Sequence, residues 1–116
     1  MDRKRELKDM YRMMKPEMGI FIIKNNSDNK CYIEASHNLR GAMNSIKFKL
    51  NFGNHPNKEL QKAWTEYGED CFTIEVLEKL EYDKDESKTD YSEELEILKI
   101  EWEENLSKQG LEFYVK

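Results

Sequence analysis

No apolar run in this sequence comes near the roughly 20 residues needed to span a bilayer, so no transmembrane helix is expected. Cysteine is scarce. Cys31 and Cys71 stand far apart and form no CxxC pair, which excludes a thioredoxin-like redox motif. Both are expected in strands as buried thiols of a cytosolic protein, because a disulfide would need an oxidising compartment. Histidine is equally sparse. His37 and His55 have no Cys/His spacing around them, so they read as loop or capping residues rather than zinc ligands. There is no Gly-rich phosphate loop, nucleophile elbow, internal repeat or low-complexity tract. The opening Met1-Asp2-Arg3-Lys4-Arg5 is charged and no apolar stretch follows it. It does not read as a secretion signal, and a cytoplasmic location away from membranes is expected.

What is present is the composition of a globular protein. The 116 residues suffice for one domain with a single modest core. Charged residues make up 37 % and apolar ones 38 %, which implies a well-solvated surface. The net charge of −5 is unevenly spread. Residues 1–62 carry 13 Lys/Arg against 7 Asp/Glu, a balance of +6, and residues 63–116 carry 6 against 17, a balance of −11. An acidic protein is a poor generic binder of nucleic acid, because phosphate contacts dominate that affinity. A basic half can still form one local face.

Periodicity gives the elements. Leu7, Met10, Tyr11 and Met14 form an apolar stripe on a helix over residues 2–14, ended by Pro16 and Gly19. The reading divides the chain into this amphipathic helix, residues 1–17, and a domain over residues 18–116. Residues 19–24 are almost continuously apolar, as in a central strand covered on both faces. The turn cluster Asn25-Asn26-Ser27-Asp28-Asn29 joins it to an alternating strand over residues 30–35, making a hairpin of open register. Asn38 caps a helix over residues 39–50 with Leu39, Met43, Ile46 and Leu50 inward, and Asn57 caps a second through Tyr67 with Leu60, Ala63, Trp64 and Tyr67 inward. Gly68 suits its C-terminal end. Residues 71–77 alternate as a strand, 81–91 form a polar loop with mobile character, and Asp90 with Glu93 has capping-box spacing before a last helix to Lys108. Leu95, Leu98, Trp102 and Leu106 are its apolar stripe, Gly110 stops it, and Phe113-Tyr114-Val115 is a tail expected against the sheet. The expected fold is α+β, with a small three-stranded antiparallel or mixed sheet flanked by helices.

Gly19-Ile20-Phe21 and Tyr32-Ile33-Glu34, on adjacent strands, resemble the paired signature of the GIY-YIG nucleases. Asn38-Leu39-Arg40 looks like the start of that family's first helix. The stretch from His55-Pro56-Asn57 through Trp64, then Tyr67-Gly68-Glu69 and Phe72, is similar to many phage and bacterial members. The likeness covers roughly residues 18–106.

The resemblance implies hydrolysis of a phosphodiester with one divalent cation. A glutamate on the last helix holds the metal, and hairpin tyrosines with an arginine on the first helix handle water and phosphate. This chain departs from that pattern. Tyr32 is the only matched position. Phe21 stands for the first tyrosine, Glu34 for a glycine, Ala42 for the arginine, Ile46 for a histidine one turn on, and Lys99 for the metal-holding glutamate. Losing one transition-state contact typically costs about 3 kcal/mol.

The favoured reading is therefore a family-like module that has lost catalysis, a pseudoenzyme binding nucleic acid or protein. Arg40, Asn44, Lys47, Lys49, Lys58 and Lys62 are the candidate contacts to DNA or RNA. No metal or other cofactor is expected. The alternative is an endonuclease with relocated residues, using Mg²⁺ or Mn²⁺, for which Glu34, Glu96 and Glu103 are the candidate ligands. A third reading is a regulatory subunit that binds a protein partner, or itself, through the helix over residues 2–14.

Overall fold

The computed structural model describes residues 15–114, and the helix expected over residues 2–14 lies outside them. Four strands form one mixed sheet. β1 (Met18–Asn25) and β2 (Lys30–Ser36) make the hairpin, β3 (Phe72–Leu80) pairs antiparallel with β1, and β4 (Glu112–Phe113) pairs parallel with β2, in the order β3-β1-β2-β4. Helices α1 (Leu39–Asn51) and α2 (Lys58–Tyr67) lie between β2 and β3, and α3 (Ser92–Lys108) lies between β3 and β4.

The sheet thus has one strand more than the sequence indicates. Of the expected apolar tail, Phe113 and Tyr114 do meet the sheet, Phe113 within a strand. The Glu112 N–H donates to the Asn29 carbonyl at 2.8 Å and the Tyr114 N–H to the Cys31 carbonyl at 2.9 Å. Two residues carry no readable period, so β4 leaves no pattern in the sequence.

β1 is central and apolar because both its faces are covered. Phe21 and Ile23 face α1 and α2 with Leu39, Ile46, Leu50, Leu60, Trp64 and Phe72. Ile20 and Ile22 face α3 with Cys31, Ile33 and Leu106. Each fully buried side chain of this size contributes about 1.5–3 kcal/mol. Gly19 is required by contact. A Cβ there would lie 2.0 Å from the Glu78 backbone oxygen on β3, beside a register shift at Ile20/Phe21.

Asn25 is wholly buried at the hairpin turn. Its Oδ1 accepts the Ser27 N–H, and its Nδ2 donates to the Tyr114 hydroxyl at 3.1 Å. Asn38 and Asn57 cap as the sequence indicates, accepting from the N–H of Gly41 and Leu60. Other details differ. Tyr67, expected inward, is 43 % exposed at the end of α2. Cys71 lies in a 3₁₀ turn and is half-buried, while Cys31 is buried in β2, and both are free thiols. α3 begins one residue late for a capping box, and the Asp90 carboxylate accepts the Ser92 N–H instead. The loop of residues 81–91 is tied down: Tyr82 donates to the Pro16 carbonyl, and the buried Tyr91 hydroxyl accepts the Asp83 N–H.

Candidate functional site

The hairpin register places Tyr32 opposite Ile23 and Glu34 opposite Phe21. Tyr32 and Glu34 therefore share the sheet face that meets α1. β4 pairs with β2 only at Lys30 and Cys31, so among the described residues no strand covers the outer edge from Tyr32 to Ser36. The result is an open groove of about 370 Å³ between that edge, α1 and the loop before α2. Tyr32, Glu34, Ala42, Ser45, Ile46, Lys49, His55 and Asn57 line it.

The groove gathers Tyr32 with Ala42 and Ile46, three of the positions that the resemblance marks. Its chemistry is set by one hydrogen bond. The Tyr32 hydroxyl donates to Glu34 Oε1 at 2.7 Å. Burial first, and then this bond to a carboxylate, hold the phenol proton well above its ordinary value of 10. Tyr32 is thus a donor already engaged, and a poor proton acceptor near neutrality. Phe21, one strand away, is fully buried in the core and offers no hydroxyl.

His55, expected as a loop or capping residue, is also a groove residue. Its ring is buried and stands edge-on to Tyr32, with centroids 5.4 Å apart. Its Nδ1 also accepts the Asn57 N–H at 3.0 Å, so it has the expected capping role as well. No spacing rule marks a lone loop histidine. Only the fold, which turns the loop back over Tyr32, brings the two rings together.

Around the edge of β2, Glu34 also meets α3. Glu34, Ala35, His37, Glu96 and Lys99 line a second groove there. Lys99 stands 3.8 Å from Glu103, one turn further along. Among the described residues, no group of three or more His, Cys, Asp or Glu side chains is placed to hold a metal ion. The donors do not fit a divalent cation. Glu34 is engaged with a phenol proton, and Lys99 brings positive charge to the groove that Glu34 and Glu96 line.

The predicted cations are not gathered. Lys49 alone lies in the Tyr32 groove. Arg40 and Asn44 line a different groove, on the β3 side of α1, with Val76 and Lys79. Lys47 also turns that way and pairs with Glu69 at 2.8 Å. Lys58 and Lys62, four residues apart, share the exposed face of α2. One charge pattern remains continuous. No Asp or Glu occurs from Ala35 to Lys58, a stretch that contains all of α1 and the loop over the groove, in a chain with 24 acidic residues. No helix among the described residues is long and apolar enough to cross a membrane.

No protein-family model matches this sequence, and no curated protein matches it. Solved structures do. The catalytic domain of the homing endonuclease I-TevI superposes with a TM-score of 0.66 at 23 % identity, covering 85 % of this chain and 99 % of that one. A point mutant of the catalytic domain of the intron endonuclease I-TevI gives 0.52 at 29 % identity, covering 60 % of this chain and 70 % of that one. The likeness shows the fold: this chain has the α+β architecture of a GIY-YIG endonuclease domain.

Proposed function

We propose that this chain is a nuclease-like module that binds nucleic acid along α1 and the Tyr32 groove and does not cut it. Its likeness to the catalytic domain of an endonuclease brings nucleic acid as the ligand class. The single observation that carries the loss of catalysis is the Tyr32–Glu34 bond, with Lys99 lining the adjoining groove that Glu34 also borders. A phenol whose one proton is held by a carboxylate has none to offer a phosphate or a leaving group, and a lysine does not hold a cation. Support for binding comes from Lys49 in the groove and from the acid-free stretch that carries it. Phosphate contacts supply most of such affinity, so a handful of exposed cations gives weak, salt-dependent association.

Fluorescence anisotropy of labelled oligonucleotides at low ionic strength tests the binding half. With about three phosphate contacts, log K falls with log[salt] at a slope of about −2 to −3. Absence of binding at the lowest salt removes the proposal. A supercoiled-plasmid assay with Mg²⁺ or Mn²⁺ tests the other half. Metal-dependent nicking that disappears in Tyr32→Phe would establish an endonuclease instead.

A further inference from the structure

Phe48 and Phe52 lie one turn apart at the C-terminal end of α1, with ring centroids 4.5 Å apart and planes tilted by 34°. They are 63 % and 66 % exposed, the highest among the large apolar residues described as exposed. Leaving two aromatic rings in water forgoes the gain of burying them. Neither joins a core cluster.

We infer that this pair is a stacking platform for unpaired bases of a single-stranded nucleic acid that continues from the Tyr32 groove. The inference rests on the proposed nucleic-acid reading and adds to it the class of strand. Continuity is geometric. Ser45 and Lys49 line the groove, and each precedes one of the two rings by three residues, Ser45 before Phe48 on the helix and Lys49 before Phe52 at its C-cap. A backbone held at Lys49 therefore has a π-face within reach on the adjoining ridge.

Charge selects the occupant. Lys47 and Lys49 flank Phe48 in sequence, and no acidic residue lies on α1. Lys47 is held by Glu69, but Lys49 and Arg40 have no ion-pair partner among the described residues. Stacked aromatics interleaved with cations suit a polyanion that offers flat rings, and every base has a π-face. A second copy of this chain fits less well. A two-fold contact through this ridge would set Lys47 and Lys49 near the same cations of the other copy. A duplex hides its base faces, so it would use Lys49 and leave the rings untouched.

The test uses the full chain with a labelled oligothymidine of about 15 nucleotides and a duplex of equal length. Phe48→Ala/Phe52→Ala is expected to weaken single-strand binding by about tenfold or more, the usual loss for a stacked base. Duplex binding is expected to change by less than about twofold, since phosphate contacts remain. Phe48→Leu/Phe52→Leu keeps the apolar area but not the π-face and is expected to stay weak, while Phe48→Trp/Phe52→Trp is expected to restore affinity. Because both side chains are mostly exposed, all three variants are expected to fold. Unchanged single-strand affinity in the alanine variant, or wild-type affinity in the leucine variant, overturns the stacking role and leaves the nucleic-acid reading in place. A dimer of the wild-type chain that the alanine variant dissolves also overturns it, assigning the ridge to contact between copies. Failure of the wild-type chain to bind either probe instead removes the underlying reading, and the inference with it.

Discussion

Glu34→Gln should tighten nucleic-acid binding, and the structure sets the size of the gain. Glu34 Oε1 takes the Tyr32 hydroxyl at 2.7 Å. A phosphate oxygen packed beside this hydroxyl, whose one proton Glu34 already takes, would sit about 5 Å from the carboxylate. Two unit charges at that distance repel by about 0.8 kcal/mol in water and about 3 kcal/mol at an effective dielectric of 20. The groove is open along the edge of β2, so the lower end applies, about 1 kcal/mol or roughly a fivefold gain in affinity at low salt. The gain should shrink as ionic strength rises, because screening weakens the repulsion it relieves.

Glutamine keeps an oxygen for the Tyr32 proton, so the groove geometry is retained while the charge is lost. The phenol gives an independent readout. Its proton is held above the ordinary range by burial first and by Glu34 second. In Glu34→Gln the second cause weakens, and the phenol should titrate at lower pH than in the parent, still above 10. The sign for stability follows from the raised value. The contribution of the neutral phenol is complete below pH 10, and it is lost as pH rises through the folded-state value. Difference absorbance between variant and parent isolates this residue among the six tyrosines. Unchanged or weaker nucleic-acid binding in Glu34→Gln would refute the approach of phosphate to this carboxylate. An unchanged phenol titration would refute the hydrogen bond itself.

Three further outcomes are expected. Asn57→Ala should lower stability by about 2–3 kcal/mol in urea, because it removes the α2 cap and the 3.3 Å tie from Nδ2 to the Tyr114 carbonyl; Asn57→Asp keeps the cap and should fall between the two. Burial raises the Cys31 thiol to about 11 from the ordinary 9.0, so at pH 8 its thiolate fraction is about a hundredfold below that of an ordinary thiol, and a thiol reagent should modify Cys71 first, with Cys71→Ser removing the fast phase. Gly19→Ala should cost about 2 kcal/mol or more, since the new methyl meets backbone rather than a movable side chain, and thermal melting would show it.

The parts of this fold that could be read in the sequence are those with a strong period or a chemically specific cap. The apolar run of β1, the alternation of β2 and the caps at Asn38 and Asn57 all appear where the residues indicate. β4 has two residues and no period. Tyr67 fits the stripe of α2 by spacing, but it is the last residue of the helix and stays exposed. Register decides the site, and neither strand alone fixes it. Pairing Ile23 with Tyr32 places Glu34 across from the buried Phe21 and turns its carboxylate onto Tyr32. Lys47 is five residues past Ala42, about 140° around the helix, so its absence from the groove follows from the 3.6-residue period. His55 could not be found that way, because its partner is distant in sequence and only the tertiary fold unites them.

The signature residues separate by what each does for packing. Gly19 leaves room for the Glu78 carbonyl, Ile20 and Ile33 fill the face under α3, and Phe21 fills the face under α1 with no need of a hydroxyl. Tyr32 packs its ring against that second face, and its oxygen finds a partner in the adjacent Glu34. The fold depends on the bulk and shape of these residues. At Ala42, Lys99 and Glu34, by contrast, the side chains are half-buried at groove walls, where a change of charge disturbs little packing. A chain can therefore keep the hairpin and its glycine under strict steric demand while the charges at the walls of the groove beside it vary. On this argument, replacing Lys99 by glutamate should leave the melting temperature nearly unchanged, since its one visible ion pair, to Glu103, is exposed and 3.8 Å long. A large loss of stability in Lys99→Glu would show that the lysine is part of the framework, and the separation drawn between framework and groove would fail at that residue.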